Sequence, residues 1–173
     1  MKINITLILL MLLSLAACKK DASNSKYEKS FTAFQSFKKT SNNTYYYVTT
    51  FTSWVGYGSE TKISVDKGTI IARDFIMRGN PWGSPNDTTR NALLEEWHED
   101  KATLGTHDEG AELLTLDQVY DKAKNEWLKV DRNKNTVYFE TQHNGVISSC
   151  GYVPKNCMDD CFIGIRIKEI VAR

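Results

Sequence analysis

Apolar and polar positions alternate along the chain in patterns that mark out its elements. Tyr27, Phe31, Phe34 and Phe37 recur at three- and four-residue spacing, with Lys26, Lys29, Lys38 and Lys39 among the polar positions. This predicts an amphipathic helix over 26–39, and Ser25-x-x-Glu28 has the form of a capping box at its start. The stretch 45–55 is rich in Tyr, Thr, Val and Phe, with aromatic residues on both faces, which predicts a central strand or one covered on both sides. Thr61, Ile63 and Val65 alternate with Lys62 and Ser64 in a second strand. Asp66-Lys67-Gly68 turns the chain into a third strand over 69–77. Asp87 is placed to cap a short helix over 88–99 that turns Leu93, Leu94 and Trp97 inward. Thr115-x-x-Gln118 forms a second capping box, followed by Leu116, Val119, Ala123, Trp127 and Val130 on one face of a helix over 116–130. Strands over 136–142 and 146–153 flank Asn144-Gly145, a pair suited to a two-residue type I′ hairpin. The last strand, 161–171, points Ile163, Ile165, Ile167 and Val171 inward, with Glu169 interrupting the alternation. The expected fold is α+β: antiparallel sheet of about six strands in two meanders, packed against two or three helices.

The first residues follow a different pattern. Lys2 is followed by an apolar run from Ile3 to Leu15, broken only by Asn4, Thr6 and Ser14. Such a run is too short for a spanning helix, which needs about 20 apolar residues. The charged start, apolar middle and small residues at the end are those of a secretory signal. With Cys18 after Ala16-Ala17, Leu15-Ala16-Ala17-Cys18 resembles the lipobox of bacterial lipoproteins. The resemblance implies that residues 1–17 are removed, that the Cys18 thiol carries a diacylglycerol and that the new amino group is acylated. Residues 18–25 are then expected to form a flexible tether and 26–173 a single globular domain. Lys19, rather than Asp, follows the lipidated cysteine, and by the sorting rule known for such lipoproteins this favours the outer membrane.

Composition narrows the partners. Lys and Arg number 22 and Asp and Glu 21; loss of Lys2 with the leader balances them. A balanced chain lacks the basic excess of a nucleic-acid binder and a polybasic lipid-binding patch. The lipid itself must therefore supply the membrane attachment, which becomes long-lived with two or more acyl chains.

Four cysteines are present. With Cys18 lipidated, Cys150, Cys157 and Cys161 remain, an odd set within one short segment. An exported chain meets oxidising conditions. One structural disulfide is expected among them: Cys150 and Cys161 could face each other across the last hairpin, a bridge worth about 3 kcal/mol in the chain-entropy picture, and Cys157 could pair with either. Two rivals use the same residues: a zinc set of three thiolates with His143, Asp159 or Asp160, and a nucleophilic cysteine with His143 as base.

Further motifs carry a second resemblance. The tyrosine-rich strand, Val65-Asp66-Lys67-Gly68-Thr69-Ile70-Ile71, Thr115-Leu116-Asp117-Gln118-Val119-Tyr120 and Tyr138-Phe139-Glu140-Thr141-Gln142-His143-Asn144-Gly145-Val146-Ile147-Ser148 resemble a family of small exported bacterial proteins, many of them lipoproteins, with a domain of unknown function. The likeness spans 45–171. This chain departs from it at Phe51–Val55, where some members carry cysteines, and at Asn144-Gly145-Val146, where some carry Gly-Tyr-Pro. The resemblance implies no particular activity.

No catalytic signature emerges. Gly56-Tyr57-Gly58 lacks the third glycine and following helix of a phosphate loop, and no two histidines stand at helical i, i+4 spacing. His98-Glu99-Asp100 and His107-Asp108-Glu109 are matching triplets from which His98, His107 and Asp108 could ligate a metal. Trp54, Tyr57 and Trp82 fall at or near loop tips, where aromatic rings stack on sugars or anchor a protein partner. The expected function is a lipid-anchored, non-enzymatic envelope module that needs no cofactor and binds a protein or glycan. The alternatives are a metal-assisted envelope hydrolase and a purely structural lipoprotein.

Overall fold

The computed structural model describes residues 22–79 and 91–173. The lipobox with Cys18, the Lys19-Lys20-Asp21 segment and Trp82 lie outside the described residues.

The fold is α+β, built on one antiparallel sheet. Helix α1 spans Ala22–Thr40. A four-stranded meander follows: β1 (Tyr45–Thr52), β2 (Tyr57–Asp66), β3 (Thr69–Gly79) and β4 (Leu93–Asp100). Helix α2 (Leu116–Lys122) runs into a π-helical turn, Ala123–Trp127, and a second meander closes the chain with β5 (Asn135–Thr141), β6 (Ile147–Pro154) and β7 (Ile163–Ala172). The two meanders join through β1 and β7, giving the order β4-β3-β2-β1-β7-β6-β5. The tyrosine-rich β1 is central, as its two-faced aromatic pattern predicted. Among the described residues the strand count is seven rather than about six, and the meanders share one sheet.

One face of the sheet is covered. Helix α1 lays Tyr27, Phe34 and the partly buried Phe31 against Tyr120 and Phe139. Three buried tyrosines tie the layers with hydrogen bonds. Tyr47 Oη donates to the Leu114 carbonyl at 2.6 Å, Tyr45 Oη accepts from Leu116 N–H at 2.8 Å, and Tyr120 Oη accepts from Ile147 N–H at 3.0 Å. Each ring fills the core while its hydroxyl satisfies a backbone group that would otherwise be buried unpaired. The opposite face carries polar residues, including a row in which Lys62 and His98 both contact Asp74.

Several expectations are corrected. Helix α1 already includes Ala22, the first described residue, so Ser25 lies inside it and residues 22–25 are helix rather than tether. The stretch expected to be helical up to 99 is instead strand β4 over its described part. Its Phe75–Trp97 and Arg73–Glu99 pairings to β3 are non-local and outweigh the local helical spacing; Leu93 and Leu94 are exposed. The helix at 116 has its capping box but ends in the π turn, where Leu128 N–H reaches Ala123 C=O at 3.0 Å. The extra residue in that turn brings Trp127 and Leu128 both into the core.

The Asn144-Gly145 hairpin is not a two-residue type I′ turn. Gly145 alone of the pair has positive φ, at 80°, and its N–H bonds the Gln142 carbonyl at 2.9 Å. This is a β-turn over 142–145 with the glycine as the left-handed residue that follows. In β7, Ile165 and Ile167 face the core as expected, but Val171 and Ile163 are exposed. The β1–β7 register shifts between Val48–Glu169 and Thr49–Ile167, leaving Lys168 as an extra residue. That bulge reverses the alternation, so Ile170 packs against the core in place of Val171.

Candidate functional site

The Lys168 bulge also marks where the sheet divides. Strand β7 pairs with β1 only through Ile167–Ala172, and with β6 only through Ile163–Arg166. Strand β1, however, continues to Thr52 on the β2 side, where Thr52 still pairs with Gly58. Beyond Thr49 and Ile167, the facing edges of β1 and β7 therefore have no ladder partner among the described residues. The space between them is a cleft of about 630 Å³, within the usual range for ligand sites. Residues from both faces of the sheet line it. Thr49 and Ile165 approach from the covered face and Thr52 and Arg166 from the open one, so the cleft passes between the strands rather than resting on them.

Each wall has a local cause. Ser53 N–H bonds Tyr57 C=O at 2.9 Å on the β2 side. Backbone groups alternate in direction along a strand, so the N–H and C=O of Thr52 point into the cleft. On the other wall, Gly164 is exposed. A side chain there would collide with the Cys150 carbonyl and the Gly151 backbone, so only glycine allows β6 and β7 to approach this closely. Phe51, 43% exposed, and Tyr57 stand on the floor with ring centroids 6.1 Å apart and planes tilted by 45°. Trp127, delivered by the π turn, closes the back.

The far end is tied. Asp160 accepts from Ser53 Oγ at 2.9 Å and from Trp54 N–H at 3.2 Å. Asp160 sits in the loop that holds Cys157 and Cys161 at disulfide distance, with Cα atoms 6.3 Å apart. The pair is thus Cys157–Cys161, not Cys150–Cys161. Cys150 lies in the core opposite Phe139 and Ile165, on the buried face, while the other two sit in the loop before β7. Burial pushes the Cys150 thiol up to about 12, so it is neutral at physiological pH and a poor nucleophile or metal ligand. The three cysteines therefore form no thiolate set, and His143 is exposed in the 142–145 turn.

The matching His-acid triplets have separate fates. Glu99, fully buried, receives Arg73 Nε and Nη2 at 2.9 Å each and the N–H groups of Gly105 at 2.9 Å and His107 at 2.8 Å. The Arg73 guanidinium, then the two N–H groups and the His107 ring against the opposing effect of burial, hold this carboxyl well below the usual range. His107 also stacks on Trp97 at 4.2 Å. These contacts pin the loop 101–114 over β3 and β4. His98 instead lies on the open face, 2.7 Å from Asp74. His98, on the open face, and His107, on the covered one, do not share a ligand set, Asp108 is exposed, and among the described residues no three His, Cys, Asp or Glu side chains converge.

No family model, no curated protein and no solved structure matches this chain. Among the described residues, no helix is long and apolar enough to cross a membrane.

Of the aromatic binding candidates, Tyr57 lines the cleft; Trp54, 72% exposed, is not among the lining residues and reaches it only through its backbone N–H on Asp160. Phe51 and Gly164 were not legible as site residues, and Asp160, expected as a possible zinc ligand, instead ties Ser53 and Trp54. The one local signal was Glu169, whose interruption of the β7 alternation reflects the bulge that ends the β1–β7 ladder.

Proposed function

We propose that this protein is a non-enzymatic binding module of the cell envelope, held at the outer membrane by lipid on Cys18, and that its ligand enters the cleft between β1 and β7. The observation that carries this reading is the cleft itself: two strand edges without a ladder partner and an aromatic floor of Phe51 and Tyr57. The buried charged pair, Arg73–Glu99, is spent on holding the loop 101–114 and does not face the cleft. The lipobox resemblance and the likeness to small exported lipoproteins support the location.

Hydrogen exchange of the full lipidated chain, in nonionic detergent, tests the reading. Envelope proteins and peptidoglycan fragments are added in turn. Slowed exchange over 50–54 and 162–166 with one of these fractions is expected. Unchanged exchange over those segments with every fraction would overturn the cleft as a binding site. For the anchor, Cys18→Ser should release the protein into the soluble fraction, and continued membrane retention would refute lipid attachment.

A further inference from the structure

Resting on that binding reading, we infer that the cleft takes a small organic cation, an ammonium carried on an apolar body, seated on the covered face of the sheet. Both ends of the gap between β1 and β7 are closed, one by the Thr49–Ile167 pair and the other by the Asp160 bonds to Ser53 and Trp54. A compact molecule fits such a space, and a through-running chain does not. Residues directly opposite in a ladder share a face. Thr49, Thr61 and Phe75 therefore form one row on the covered face, and Phe51, Ser59 and Met77 the next. Tyr57 stands on the same face, two residues from Ser59. With Trp127 at the back, Phe51, Tyr57 and Met77 make an apolar bay on that side of the cleft.

The loop 101–114 brings carboxylates to this same face. Gly110 packs so closely that a side chain's first carbon would stand 3.3 Å from Phe75, Thr61 and Trp97. Ala111 donates its N–H to Thr61 Oγ1 at 3.0 Å, and its carbonyl accepts from Arg73 Nη1 at 3.2 Å. Glu109 and Glu112, on either side of this anchored pair, are thereby placed at the rim of the bay. Glu112 is paired with Lys122. Glu109, exposed, makes no ion pair and no hydrogen bond among the described residues. Arg166, the one cation among the described lining residues, stands on the open face with its guanidinium over the Phe162 ring at 4.1 Å.

An apolar floor beside an uncompensated carboxylate selects the ligand. A hard metal ion needs several oxygen ligands, and among the described residues no three His, Cys, Asp or Glu side chains converge. An organic ammonium is satisfied by one carboxylate, and aromatic faces attract it as well. An acid is repelled by Glu109. A sugar is the poorer fit, because the tilted Phe51 and Tyr57 rings offer it no flat platform.

The probes are phenylbutylamine, phenylbutanol and phenylbutyrate, which share an apolar body and carry a cation, no charge and an anion. Each is titrated into the full lipidated chain in nonionic detergent, with the free concentration fixed by dialysis against detergent alone. Binding is followed by the amide chemical shifts of Phe51, Tyr57 and Ala111. Saturable binding of the amine is expected, about threefold tighter than the alcohol, with the acid weakest. Glu109→Gln should remove the preference for the amine, leave the alcohol unchanged and keep the urea midpoint. Phe51→Ala should weaken amine and alcohol alike. Equal binding of all three probes, or a preference that survives Glu109→Gln, would overturn the inference and leave a cleft of another selectivity. Absence of amine binding while an envelope fraction still slows exchange over 50–54 would also overturn it, and would keep the binding module. If the amine does not bind and no fraction slows exchange, the module fails together with the inference.

Discussion

Arg73 and Glu99 form a two-pronged ion pair across β3 and β4, both bonds at 2.9 Å, and between them they hold the backbone of Gly105, His107 and Ala111. Their side chains are 5% and 0% exposed. A loop with little secondary structure is thereby fixed to the sheet by charge and not by apolar packing alone. Removing one partner strands the other charge in the core, which typically costs about 3–5 kcal/mol. Glu99→Gln and Arg73→Met should each lower stability in urea unfolding by roughly that amount, and exchange should rise over 101–114. A loss below about 1 kcal/mol for both variants would show that the pair does not pin the loop.

Acid should weaken the fold through the same group. The Glu99 carboxyl is held well below its ordinary value in the folded state, so over the acid range the unfolded chain binds more protons. Its contribution is complete above about pH 4.3, the ordinary glutamate value, and declines as pH falls below it. Asp74 shifts in the same direction: burial opposes the shift, but hydrogen bonds from His98 and Lys62 outweigh it. Urea midpoints measured from pH 6 to pH 2.5 should therefore fall steadily on the acid side. Glu99→Gln should show a shallower fall, and an unchanged slope would argue against Glu99 as the titrating group.

Thiol chemistry should report the pairing. With Cys157 joined to Cys161 and Cys150 buried, native protein kept from reductants should take up no alkylating agent over 150–161. Denaturation without reductant should expose one thiol, at Cys150. The small loop closed by the pair is worth about 2 kcal/mol in the chain-entropy picture, less than a longer hairpin bridge. Peptide mapping that recovers a Cys150–Cys161 bridge would contradict this arrangement.

Tyr47 should be sensitive to loss of its hydroxyl alone. Its hydrogen bond of 2.6 Å to the Leu114 carbonyl is buried, and Tyr47→Phe leaves that carbonyl without its partner while the ring still packs. A loss of about 1–3 kcal/mol is expected in thermal or urea unfolding. A neutral outcome would mean that the carbonyl finds another donor.

Where the determining forces are local, the elements could be read from the residues in order. The apolar stripe of Tyr27, Phe31, Phe34 and Phe37 made α1, the Thr115–Gln118 box started α2, and Asp66-Lys67-Gly68 turned β2 into β3, with Lys67 and Gly68 both at positive φ. The tyrosines of β1 announced a strand with neighbours on both edges, and it lies between β2 and β7, although only one of its faces is covered. Tertiary structure decided the rest. Residues 93–100 have helical spacing, yet their partners, Arg73 and Phe75, lie some twenty residues away, and those pairings made them a strand. The Cys157–Cys161 pair depended on which cysteine the sheet buried. The cleft depended on a single extra residue, Lys168, which ends one ladder before the next begins. Periodicity records which face of an element is apolar; it does not record which strand lies alongside, and the site exists where two neighbours part.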